Sequence, residues 1–147
     1  MALTRAQKVQ VEAVKKPEAY YAQNYDYYTM ITDGVSGFYI RPEELVINPA
    51  KLRPHDGGME SFSPEKILTD TVRTERTKTA MILDKKLAVK FTGAGGVVGW
   101  VNLASLKGYD TGEVAYYLNS SLGVIVFVDR NIEEPVGFCM TMKVDDE

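Results

Sequence analysis

The sequence predicts an α+β fold, a mostly antiparallel sheet with two or three short helices. The main observation is that, from residue 77 onward, short apolar segments alternate with turn signals. The last of these segments are separated by only a few residues, and links this short join neighbouring antiparallel strands. Helix-like segments occur only near the start, after residue 63 and after residue 101. The length of 147 residues suits one domain, residues 1–147.

Three segments are candidate helices. The first begins at Thr4 and runs to about Val14, although apolar residues at alternate positions there also fit a strand. The second begins at Ser63, a residue type that caps helices, and runs to about Val72. The third is the short segment 102–107, which a glycine follows.

The strands are predicted from β-branched and aromatic runs between turn signals. Asp33-Gly34 is a turn signal that separates the first two strands. We expect strands at residues 27–32, 37–40, 79–83, 87–92, 97–101, 113–118, 123–128 and 136–144. Residues 48–63 are rich in Asn, Pro, Gly, Asp and Ser, which predicts a flexible loop, and residues 145–147 read as a solvated acidic tail.

Composition limits the compartment and the partners. The single cysteine, Cys139, excludes an internal disulfide and lies in an apolar run that favours a buried, inert thiol. No signal-peptide core begins the sequence, and no apolar stretch approaches the ~20 residues that span a bilayer. We therefore expect a cytoplasmic location and no membrane contact. The net charge of -3 gives no overall basic character, although net charge does not report how charge is distributed.

Residue types also disfavour catalysis. The common nucleophile and base pairs need a histidine, and His55, the single one, lies in the predicted loop. The adjacent pairs Glu43-Glu44 and Glu133-Glu134 read as solvated surface. No Cys/His set for zinc and no calcium-loop spacing occurs. We therefore predict a non-catalytic binding or assembly protein with no cofactor and no metal.

The glycine-rich segment 92–99 is the main argument for an enzyme. Glycines at 93, 96 and 99 resemble the fingerprint of short-chain dehydrogenases, in which backbone approaches a pyrophosphate. A dinucleotide site needs parallel strands joined by helical crossovers, and the later strands are too close in sequence for them. We therefore expect a glycine-rich hairpin here.

Three segments together resemble a domain of the bacterial DNA sliding clamp, the polymerase processivity factor. Met30-Ile31-Thr32-Asp33-Gly34 is similar to the clamp's strand and turn. Segments 102–107 and 113–118 are similar to its second helix and the strand that follows. Met140-Thr141-Met142-Lys143-Val144 is similar to its closing segment, with threonine in place of proline.

This resemblance implies a replication or phage-type accessory factor that either self-associates head to tail and encircles double-stranded DNA or keeps the clamp fold without forming a ring. The inner face of such a ring is basic, so that it contacts phosphates without reading bases. The candidate DNA-facing residues are Arg5, Lys8, Lys15, Lys16, Lys66 and Lys107. The alternative at each position is a solvated side chain on an amphipathic helix.

The resemblance also implies a pocket for a peptide motif of a partner protein. In the family the pocket combines the Thr-Asp-Gly region of one domain with the methionine-containing segment of the next. The matching positions are Thr32, Asp33, Gly34, Met140, Thr141 and Met142. The alternative interpretation is that these residues belong to ordinary core strands and bind no peptide.

A second function class needs no DNA. Tyrosine is favoured at interfaces, and this sequence contains nine tyrosines. A protein- or ligand-binding module would use a tyrosine-rich surface drawn from Tyr20, Tyr21, Tyr25, Tyr27, Tyr28, Tyr39, Tyr116 and Tyr117.

Solution mass separates these alternatives. A ring of single-domain chains predicts a mass of about six times the 16.4 kDa of one chain, because clamp rings contain about six such domains. Light scattering after size exclusion, at low and at moderate salt, measures it. A monomer or dimer would rule out encirclement and leave the binding-module class.

Overall fold

The computed structural model describes residues 5–25, 28–54, 62–106 and 114–142. The chain divides into two compact units, Met1–Ile67 and Leu68–Glu147, which are described here one at a time. The expectation of a single domain over 1–147 stays a prediction. The sequence-based assignments at His55, Lys107 and the tail 145–147 lie outside the described residues.

The first unit begins with the helix α1, Arg5–Lys15. Val9, Gln10 and Ala13 are buried, and the side chains between them are exposed. Burial at spacings of three and four residues is the helical period, which decides between the helix and the strand that the sequence left open. Pro17 follows and opens a single 3-10 turn.

The sheet of the first unit has four short strands: β1 (Tyr21–Asn24), β2 (Thr29–Thr32), β3 (Ser36–Ile40) and β4 (Arg53–Pro54). Their order is β4-β1-β2-β3, with β1, β2 and β3 antiparallel and β4 parallel to β1. The predicted turn at Asp33-Gly34 is confirmed between β2 and β3. The sequence did not predict β1 or β4. Part of the predicted loop 48–63 forms β4 and a 3-10 turn, Pro49–Lys51.

A buried glutamine ties α1 to the chain that follows β3. The Nε2 atom of Gln10 donates to the carbonyl oxygen of Glu44 at 2.8 Å. Its Oε1 atom accepts from the backbone N–H of Val46 at 2.7 Å and from that of Ile47 at 3.3 Å. One side chain thus forms hydrogen bonds with three backbone groups of a segment that belongs to no strand. Beside it, Val9, Ala13, Ile31, Ile40 and Leu52 form the buried core of this unit.

The predicted helix from Ser63 to about Val72 is wrong. Ser63 does start a turn, because its Oγ accepts from the Lys66 N–H at 3.3 Å and its carbonyl from the Ile67 N–H at 2.9 Å. The following residues form turns only. Asp70 has a φ of 57°, which ends any right-handed helix, and the strand of the next unit begins at Val72.

The second unit contains six strands: β5 (Val72–Leu83), β6 (Lys86–Gly93), β7 (Val98–Asn102), β8 (Val114–Asn119), β9 (Val124–Asp129) and β10 (Glu134–Met140). Their order is β10-β9-β8-β5-β6-β7, and every neighbouring pair is antiparallel. The predicted antiparallel meander at the end of the chain is confirmed as β8-β9-β10.

The sheet of the second unit curls back on itself. A single β-bridge joins Trp100 on β7 to Met142, just past the end of β10, although β7 and β10 lie at opposite ends of the strand order. The Met142 N–H donates to the Trp100 carbonyl oxygen at 2.7 Å. Inside the curl, the Tyr116 ring lies edge-on between Phe91 and Phe127, at centroid distances of 4.9 and 5.8 Å.

The third predicted helix is also shorter than expected. Residues Leu103–Leu106 form one 3-10 turn, and the Asn102 Oδ1 atom accepts from the Ala104 N–H at 3.0 Å. Among the described residues α1 is the one α-helix, so the structure is α+β and mostly antiparallel without the second and third helices. No helix in the described ranges is long and apolar enough to cross a membrane.

The predicted glycine-rich hairpin is confirmed, since β6 and β7 are antiparallel and residues 94–96 turn between them. Gly95 and Gly96 have φ values of 76° and 78°, a region in which residues with a Cβ are strained. Gly93 is required for another reason. A Cβ built there would lie 2.7 Å from the Arg73 carbonyl oxygen on β5. These glycines therefore have structural roles that need no nucleotide.

We predict that Gln10→Leu lowers the free energy of unfolding by about 1–3 kcal/mol, because three backbone groups lose their partner. Gln23→Leu is the matched control, since the Gln23 side chain is partly exposed and donates one long bond of 3.4 Å to Asn24. We expect the control to change stability by less than about 0.5 kcal/mol. Urea unfolding followed by circular dichroism measures both, and equal stabilities for the two variants would contradict the role of Gln10.

Candidate functional site

A groove of about 520 Å³ opens in the second unit beside the bridge between Trp100 and Met142. Its lining comes from strands that are distant in sequence and from the turn between β8 and β9. The lining residues are Met81, Lys90, Val98, Gly99, Trp100, Leu118, Ser120, Gly123, Thr141 and Met142. The groove is thus a product of the curl, since no single hairpin supplies it.

The register of β6 and β7 places the aromatic wall of the groove. Lys90 lies directly opposite Trp100, and Phe91 lies directly opposite Gly99. Because side chains alternate along a strand, Phe91 points into the core while Lys90 and Trp100 share the other face. The Lys90 Nζ atom lies 6.0 Å from the centroid of the Trp100 ring, within cation–π range.

The opposite wall depends on the segment just after β10. Both the N–H and the hydroxyl of Thr141 donate to the Gly123 carbonyl oxygen, at 2.8 and 3.0 Å. Met142 then pairs with Trp100 through the closing bridge. These bonds hold Thr141 and Met142 in the lining, two of the three methionine-segment residues that the resemblance placed in a peptide pocket. Met140 is half-buried in β10 and does not line the groove.

The base of the groove is apolar. Gly99 and Leu118 are buried and line it together. A Cβ built on Gly99 would lie 3.3 Å from Leu118 Cδ1 and 3.6 Å from Ile125 Cδ1. A side chain at position 99 would therefore press against these buried residues. Val98 stands at the rim and is 45% exposed.

Lys90 is the one formal charge among the described lining residues. Within the described ranges, no carboxylate lies within salt-bridge distance of its ammonium group. Ser120 and Thr141 add hydroxyl groups and Trp100 an indole N–H, so the lining mixes polar groups with the apolar side chains of Met81, Val98, Leu118 and Met142. The described part of the groove therefore combines an apolar base and an aromatic wall with hydroxyl groups and one positive charge.

The other half of the predicted pocket lies in the first unit, at the turn between β2 and β3. Thr32 is buried, and its Oγ1 atom donates to the Ser36 carbonyl oxygen at 2.7 Å. The Asp33 Oδ1 atom accepts from the N–H groups of Val35 and Ser36 at 2.9 and 2.8 Å. Gly34 has a φ of 93°. These side chains stabilise their own turn, and none of the three lines the groove.

Four of the predicted DNA-facing lysines can be placed. Lys8, Lys15 and Lys16 are exposed on or just after α1, and Lys66 is exposed in the turns after Ser63. The side chain of Arg5 and all of Lys107 lie outside what the structure describes. Glu12 is exposed on α1 as well, so the charge of this helix surface is mixed. Contact between these residues and DNA stays a prediction.

The tyrosines do not form one exposed surface. Tyr39 and Tyr116 are buried, and the Tyr39 hydroxyl donates to the Phe62 carbonyl oxygen. Burial raises the pKa of Tyr39, and it raises the pKa of Tyr25 to about 12. The half-buried tyrosines are Tyr20, Tyr21, Tyr25, Tyr28 and Tyr117, while Tyr27 lies outside the described residues. Tyr39 and Tyr116 are therefore core residues and cannot contribute to the predicted tyrosine-rich interface.

Sequence reasoning missed Met81, Lys90, Val98 and Trp100 as site residues. Their strands were predicted, but the register that sets Lys90 against Trp100 was not. One signal was present in the sequence. The single tryptophan, Trp100, lies between Gly99 and Val101 in a short predicted strand, so its side chain faces the opposite side from theirs. Alternation of this kind indicates one buried face, yet it does not tell which face an amphipathic Trp takes.

Comparison of the chain with protein-family models, with curated proteins and with solved structures finds no match. No group of three or more metal-ligating side chains occurs among the residues that could be searched.

Cys139 is buried on β10, and burial raises the pKa of its thiol to about 12. The thiolate is the reactive form, so the thiol is unreactive in the folded protein.

We predict that a colorimetric disulfide reagent at pH 8 reacts with Cys139 only in denaturant. The absorbance of the coloured thiol that the reagent releases on reaction measures this. Because the folded pKa lies above the unfolded one, this thiol's contribution to stability is complete below about pH 9 and declines as pH rises toward 12. Rapid modification of the native protein would contradict this burial.

Proposed function

We propose that this protein is a non-catalytic binding module that holds a segment of a partner protein in the groove between β7 and the end of β10. The observation that carries the proposal is the convergence of Trp100, Met81, Met142 and Val98 on one groove. Tryptophan dominates binding energy at interfaces, and methionine adapts its shape to different ligands.

The chemistry of the lining supports binding over catalysis. The described lining offers hydroxyl groups and an ammonium group, with no imidazole, thiol or carboxylate to act as a general base. Its mixture of apolar side chains with hydroxyl, indole N–H and ammonium groups suits a ligand that is partly buried and is oriented by polar contacts. The groove volume of about 520 Å³ accommodates a few side chains of a peptide.

The sliding-clamp resemblance agrees with this proposal at Thr141 and Met142, the positions it assigned to peptide binding. The proposal does not depend on a ring or on DNA. Head-to-tail assembly around DNA remains the prediction that solution mass tests, and peptide binding can be tested in a monomer as well as in an assembly.

Selection from a library of randomised peptides about ten residues long tests the proposal. We expect enrichment of peptides with an apolar or aromatic residue, and binding to change the fluorescence of Trp100, because this single tryptophan lines the groove. Val98→Glu should weaken the affinity of selected peptides about tenfold or more, since it places a charge at the apolar rim.

Ile82→Glu is the matched control. Ile82 is 68% exposed on β5 of the same unit and does not line the groove, so we expect its peptide affinity to equal that of the unchanged protein. Fluorescence titrations give the affinities, and thermal unfolding verifies that both variants are folded. No enrichment by the unchanged protein, or equal weakening by both variants, would overturn the proposal.

A further inference from the structure

We propose that the groove selects partner segments in which a carboxylate lies next to an apolar or aromatic anchor. This inference rests on the proposed function and specifies the class of ligand. It is carried by the juxtaposition of two residues of the described lining: Lys90, the one charged residue there, and Trp100, the largest aromatic one.

The position of Lys90 is fixed by the sheet. It lies in the middle of β6, directly opposite Trp100, with paired residues on both sides along the strand. Its backbone carbonyl also accepts from the Thr77 hydroxyl at 2.8 Å. A side chain anchored on this backbone keeps its aliphatic stem against the aromatic wall and its ammonium group at the wall of the groove. A ligand that covers Trp100 must therefore come close to this charge.

The charge is available for a ligand. No carboxylate among the described residues lies within salt-bridge distance of Lys90, and no other described lining residue is charged. A basic segment would place like charges together, while an acidic one would place opposite charges beside a partly desolvated apolar surface. Complementary charge of this kind sets specificity more than total affinity.

The distance between Lys90 and Trp100 also limits where the carboxylate stands. The ammonium nitrogen and the ring centroid are 6.0 Å apart. In an extended peptide, residues i and i+2 point to the same side and are separated by about 6.6 Å along the strand. We therefore expect Asp or Glu within two positions of the anchor residue.

The test compares the peptides selected by three proteins: the unchanged chain, Lys90→Glu and Lys86→Glu. Lys86 is exposed on the same strand, four residues from Lys90 and thus on the same face, but it does not line the groove. The unchanged chain and Lys86→Glu should both enrich Asp or Glu within two positions of the anchor. Lys90→Glu should keep the apolar anchor, lose the acidic preference and enrich Lys or Arg in its place.

Affinity measurements give a second readout. For a selected acidic peptide, replacing its carboxylate by the amide should weaken binding to the unchanged protein about three- to fivefold at low salt. The same replacement should have no effect on Lys90→Met, which keeps an aliphatic stem. Apolar-anchored peptides with no acidic preference, or a preference that Lys90→Glu leaves unchanged, would overturn this inference and leave the proposed function standing. Failure of the unchanged protein to enrich any peptide would overturn both.

Discussion

The hydrogen bond from the Met142 amide to the Trp100 carbonyl holds the segment just after β10 against β7 in the second unit, and both residues of this bridge line the groove. Without this bridge, β7 would be an edge strand with unpaired backbone groups along one side. Thr141 reinforces the closure, since its N–H and its hydroxyl both reach the Gly123 carbonyl. The curl then sets Met142 beside Trp100, although 41 residues separate them in the chain.

The core beneath the groove relies on the same strands. The paired strands β6 and β7 divide these side chains between two faces: Phe91 forms an aromatic cluster with Tyr116 and Phe127, while Lys90 and Trp100 on the other face line the groove. A slip of one residue between them would expose Phe91 and bury the ammonium group of Lys90, which is costly in both respects. The packing of Phe91 in the core therefore fixes the register of β6, and this register places the ammonium group of Lys90 at the groove.

Side chains that bond to backbone groups shape the parts of the chain without a regular ladder. Gln10 holds the segment after β3, and Asp33 closes the turn between β2 and β3. The Thr-Asp-Gly segment therefore has a structural role, because polar atoms of its side chains form hydrogen bonds within the turn. This role does not require a partner protein. The methionine segment differs, because two of its residues line an open groove.

The amino-acid sequence by itself determined the α+β class, the turn at Asp33-Gly34, the hairpin at the glycine run and the final antiparallel meander, because these depend on local turn chemistry and short links. The predicted helix after Ser63 does not form. A favourable N-cap starts a turn there, but the left-handed backbone of Asp70, with a φ of 57°, is incompatible with a helix that reaches Val72. Tertiary structure alone decided that Lys90 faces Trp100 and that Met142 closes the sheet. Both facts depend on register and on pairing between strands far apart in the chain, and no local pattern of residues specifies which distant edge a strand will meet.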